Sequence, residues 1–149
     1  MLLDKYVTRY SLIFVLAIVI FATVGCSYVK PVSAYDELMD KGITTLQKNT
    51  EKVLLMIETY PGKEESTYEY HRDYYKQATI EVSSLKIRAE AIQEDNLSTK
   101  MLDKLLGNIK RFENDHIEGI TANEVALYRG GFNSQFTALL SLELAKKRL

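Results

Sequence analysis

Residues 64–93, EESTYEYHRDYYKQATIEVSSLKIRAEAIQ, decide the fold. Within them Tyr68, His71, Tyr75, Ala78, Val82, Leu85, Ala89 and Ile92 recur at steps of three and four. That is the period of one helical face, and no period-two alternation competes with it. The spacing predicts a helix over 64–93, packed along that seam and broken by Asp95-Asn96.

The same period extends to both sides. Met39, Ile43, Leu46, Thr50, Val53, Ile57 and Tyr60 form an earlier seam. It predicts a helix from about Ser33 to Tyr60, with Asp36, Glu37 and Asp40 at its dipole-favoured start and Tyr60-Pro61-Gly62 at its end. A third helix is expected from a cap at Ser98, with Leu97 and Leu102 as a hydrophobic staple. Its seam is Leu102, Leu105, Ile109, Phe112 and His116, and Gly119 stops it. A fourth opens with the capping box Thr121-Ala122-Asn123-Glu124, stapled by Ile120 and Val125. Val125, Tyr128, Phe132, Phe136, Leu139 and Leu140 face inward. Gly130-Gly131 interrupts this helix, implying a kink or the close approach of a neighbour; a continuous helix is the preferred reading. Lys146-Lys147-Arg148 closes it. Four amphipathic helices on short connections predict an all-α, antiparallel up-down-up-down four-helix bundle over 34–149. A three-helix arrangement, split at the glycines, is the alternative.

Composition agrees. The chain has 149 residues, enough for one domain, with only 2 Pro and 7 Gly. Its formal charge of −1 argues against a nucleic-acid partner. A single Cys excludes an intrachain disulfide and a Cys-based zinc cluster.

The N-terminus reads differently. Lys5 and Arg9 precede the uncharged run Leu12–Ala22, which ends in Thr23-Val24-Gly25-Cys26. Basic, apolar and small residues in that order are a secretory signal. The run is 11 residues, against roughly 20 for a spanning helix, so cleavage is expected over permanent anchorage. The alternative is an uncleaved anchor with an incidental Cys.

Val24-Gly25-Cys26 resembles the bacterial lipoprotein precursors, in which the Cys is acylated and becomes the new N-terminus. Thr23 stands where that class usually has an aliphatic residue. The resemblance implies a signal peptide over 1–25, lipidation at Cys26 and a tether over 26–33. Ser27, in place of an Asp at the second mature position, implies the outer membrane, on its periplasmic side. The mature part resembles small helical lipoproteins of Gram-negative bacteria through Tyr35-Asp36, Leu46-Gln47, Arg88-Ala89 and Glu143–Arg148. That group implies no activity.

Catalytic patterns are weak. Glu113 and His116 have the ExxH spacing of di-iron bundles, but Tyr68 stands three residues before His71. With a helix starting at Glu64, the two histidines are expected roughly 10 Å apart in height, too far for one metal. There is no CxxCH for haem, no GxSxG elbow and no phosphate loop. The expectation is no metal, no cofactor and no enzymatic activity.

The tyrosines offer more. Tyr70 and Tyr74 lie four apart, off the seam, and flank Arg72. Outward, that trio would make a recognition patch; the plainer reading is a second packing face. An up-down-up-down bundle returns Lys146, Lys147 and Arg148 to the anchored end, where they would face phospholipid. It places Tyr70, Arg72 and Tyr74 at the far end. The expected function is a membrane-anchored structural or interaction module of the cell envelope, holding membrane lipid through Cys26 and an envelope protein or cell-wall partner at the trio. The alternative is an inhibitor or binding module for an envelope enzyme or incoming macromolecule.

Overall fold

A computed structural model of the protein describes residues 35–92 and 97–148. The expected signal, Cys26 and the tether lie outside these residues, as do Asp95 and Asn96. Four helices follow in order: α1 (Glu37–Thr59), α2 (Tyr68–Ile92), α3 (Leu97–Glu118) and α4 (Ala122–Lys146). Each packs on its neighbours in sequence, and α4 closes the ring against α1. Among the described residues, the backbones of diagonally placed helices do not approach one another. This is the antiparallel up-down-up-down bundle.

The core follows the seams. Ile43, Val82, Leu102, Leu105, Ile109, Phe112 and Val125 are wholly buried. Tyr60 and Ile92, the last members of their seams, are exposed because each lies where its helix runs out. The α2–α3 and α1–α4 pairs pack closely, whereas α1–α2 and α3–α4 lie more open.

Helix starts are set by side chains. Asp36 caps α1, accepting from the Leu38 N–H at 2.9 Å, so the helix opens with Glu37; Ser33 lies outside the described residues. Burial alone would raise the Asp36 carboxyl. Its bond from Arg88 and the Leu38 N–H outweigh that and hold it below its usual range. Thr121 and Glu124 form the expected reciprocal box at α4. Ser98 is not the cap of α3. It lies inside the first turn, buried, and its hydroxyl turns to Glu143 of α4 at 3.3 Å. Leu97 is exposed, so no staple closes on Leu102.

The largest departure precedes α2. Glu64–Ser66 is a 3₁₀ turn, and α2 begins only at Tyr68. Ser66 Oγ donates to the Lys63 carbonyl and Thr67 Oγ1 to the Glu64 carbonyl, at 2.8 and 2.7 Å. Hydroxyls used this way compete with helix continuation. Two histidines take the Glu65 and Ser66 carbonyls, which a continuous helix would have needed.

Gly130 and Gly131 lie within an unbroken α4, which removes the three-helix alternative. Neither marks a close approach, since a Cβ at either would meet nothing within 4 Å. The close approach is at Gly42 of α1, where a Cβ would stand 2.7 Å from Leu85 Cδ2 of α2.

Candidate functional site

Along the open α1–α2 seam runs a groove of about 560 Å³. Asn49, Lys52 and Met56 contribute from α1, and Tyr70, His71 and Gln77 from α2. The groove lies on one of the two less closely packed helix pairs, whose close approach is at Gly42. Tyr70 is 50% exposed and sets its ring edge-on to His71, with centroids 5.1 Å apart.

The expected trio does not form one outward face. Tyr74 lines the groove wall but turns inward, donating its hydroxyl to Thr50 Oγ1 at 2.9 Å. Thr50 in turn donates to the Leu46 carbonyl at 2.8 Å. Burial pushes the Tyr74 phenol up to about 12. Arg72 pairs with Glu69 on its own helix at 3.2 Å and is not part of the groove lining. Tyr70 and Tyr74 thus share the groove, one open to solvent and one packed, and Arg72 stands apart. Asn49, Lys52 and Gln77 were missed. Their polar types on the open flank of two adjacent seams were the available signal.

At the same end the histidines come together. Their ring centroids are 5.8 Å apart, so the expected height difference is wrong. The cause is the 3₁₀ turn, which starts α2 four residues late and raises His71 to the level of His116. His116 also stacks on Phe112 and takes the Tyr75 hydroxyl at Nδ1, 2.8 Å away. Burial pushes the Tyr75 phenol well above its usual range. Glu113 accepts from the Tyr68 hydroxyl at 3.2 Å. Among the described residues, no three His, Cys, Asp or Glu side chains are grouped to hold a metal ion.

The opposite end holds a buried ion pair. Glu143 is wholly buried, and its Oε1 accepts from Lys146 Nζ at 2.6 Å. Lys146 also donates to Ser98 Oγ at 3.0 Å. The expectation that Lys146 faces phospholipid therefore fails, because its side chain is 6% exposed and its charge is engaged inside. Phe132, Phe136 and Leu139 step by four and three, and one further step of four reaches Glu143. The seam itself carries a carboxylate inward, and Lys146 follows it. Lys147 lies over the Tyr35 ring at 5.1 Å, while Arg148 is exposed.

A second groove of about 380 Å³ follows the other open seam, between α3 and α4, lined in part by Arg111, Asp115, Leu127 and Tyr128. The Tyr128 hydroxyl donates to Asp115, and burial with that bond pushes the phenol up to about 12. No described helix is long and apolar enough to cross a membrane. No protein-family model, curated protein or solved structure matches this chain.

Proposed function

We propose that this chain is a non-catalytic interaction module of the bacterial cell envelope, anchored by lipid at Cys26 and facing the periplasm, at the outer membrane. The anchor rests on the order of basic, apolar and small residues before Cys26. The occupant of the α1–α2 groove is an extended segment of an envelope protein. The half-exposed Tyr70 ring, in a groove also lined by the Asn49 and Gln77 side chains, is the observation that carries this reading. Amides pair with the backbone groups of an extended chain, and a tyrosine adds contact area at small entropic cost. From Thr45 to Met56 the groove runs about 16 Å along α1, the length of about five extended residues. A non-catalytic role is supported by the titratable cluster at this end. His116 and the tyrosines Tyr68, Tyr74 and Tyr75 each spend their polar atoms on structural hydrogen bonds.

Affinity capture from solubilised membranes tests both halves, with the intact mass of the bait read in the same preparation. The bait is expected to lack residues 1–25 and to carry the acyl mass on Cys26. Tyr70→Ala with Asn49→Ala is expected to cut retention of the bound protein at least about tenfold, the loss of one interface anchor. A bait that keeps residues 1–25 contradicts the anchor. Equal retention by a folded, lipidated variant contradicts the groove.

A further inference from the structure

The chain's two histidines hold one short turn from two different helices. His71 Nε2 donates to the Glu65 carbonyl at 2.8 Å, and His116 Nε2 donates to the Ser66 carbonyl at 2.9 Å. A carbonyl only accepts, so both Nε2 atoms carry hydrogen. The neutral His116 ring then has an accepting Nδ1, and the Tyr75 hydroxyl fills it. A second proton would turn that acceptor into a donor and displace the Tyr75 hydrogen. Both side chains are buried, at 5% and 4% exposure, and two imidazolium rings 5.8 Å apart would repel in a site with little water.

The groups around the pair add nothing that would favour the proton strongly. Lys52 of α1 adds positive charge near His71. From α2, Tyr70 meets His71 edge-on, and Tyr68 and Tyr75 flank His116. From α3, the Glu113 carboxylate is engaged by the Tyr68 hydroxyl. From α4, Tyr128 packs on Phe112 and donates to Asp115. The turn brings Glu64 and Glu65, which meet the histidines through the Glu65 carbonyl. Neither histidine forms an ion pair among the described residues.

We propose that Glu64–Ser66 is an acid-released clasp: protonation of the His71–His116 pair frees the turn from the bundle end. The release stands on the histidine geometry. Burial lowers both histidines from the usual 6.5, against the opposing pull of their carbonyl acceptors. The folded state therefore disfavours the proton. The clasp is intact above the unfolded value near 6.5 and weakens as pH falls below it, until the folded-state values are passed.

Amide hydrogen exchange on the full chain, corrected for intrinsic rates, tests this from pH 7.5 to 5. The Ser66 and Thr67 amides, bonded to the Lys63 and Glu64 carbonyls, are the reporters. Their protection is expected to be lost progressively as pH falls below 6.5, while amides around Ile109 hold. His71→Gln with His116→Gln keeps a donor but removes the titration, so its profile is expected to be flat. Histidine nitrogen NMR on the unsubstituted chain supplies a reading independent of any variant. It is expected to show Nε2–H tautomers at pH 7.5 that titrate together with the turn. Constant protection while the histidines titrate would overturn the clasp, as would the same pH dependence in the glutamine variant.

Discussion

Glu143 shows how far a single side chain can depart from its class. It occupies a core position, Lys146 neutralises it, and Ser98 shares the bond, yet its Oε2 has no hydrogen-bond partner among the described residues. Desolvating both ions is costly, and one member left alone is worse. Lys146→Met is therefore expected to destabilise the fold by about 3–5 kcal/mol in urea unfolding, the cost of an unpaired buried charge. Adding Glu143→Leu to it is expected to recover most of that loss. A mild effect of Lys146→Met, or no recovery in the pair, would show that the contact carries little energy. Reading Lys146 as a free surface cation followed from its place in a basic terminal run. The seam step from Leu139 to Glu143 was the contrary signal, and tertiary context, which a charge count does not contain, decided it. The histidines teach the same lesson: their chemistry was legible, but their heights depended on one turn.

Elements were the most legible scale. Each helix followed its three-four seam, and the Thr121–Glu124 box marked the start of α4. The 3₁₀ turn was hidden because the residues that break the helix at 64–67 act through hydroxyl and imidazole bonds, and the imidazoles arrive from α2 and α3. Glycine was legible as a signal but misplaced in meaning. Gly130 and Gly131 are exposed, have negative φ and have open space where a Cβ would stand. Gly130→Ala and Gly131→Ala are each expected to stabilise the protein by about 1 kcal/mol through helix propensity. Gly42→Ala is expected to destabilise it, because Leu85 and Glu81 already occupy that space. Thermal unfolding of the three variants checks the opposite signs. A gain at Gly42, or a loss at both α4 glycines, would contradict this account of the packing.

At the scale of the molecule, helix pairing decides where a partner can bind. Two seams close tightly and two stay open, and both grooves lie on the open ones. The sequence made Tyr70 visible as a recognition residue but could not separate it from Tyr74, because side-chain direction off a seam depends on how widely the neighbouring helix stands. It left Asn49 and Gln77 unmarked for the same reason. The α1–α2 groove is the central claim, and site-specific photo-crosslinking in intact cells tests it most directly. A photoreactive side chain replaces Tyr70 in one anchored variant and Ser141, on the exposed face of α4, in another. Irradiation is expected to give one discrete protein adduct from position 70 and none from position 141. Adducts of equal yield from both positions, or none from position 70, would contradict docking in the groove.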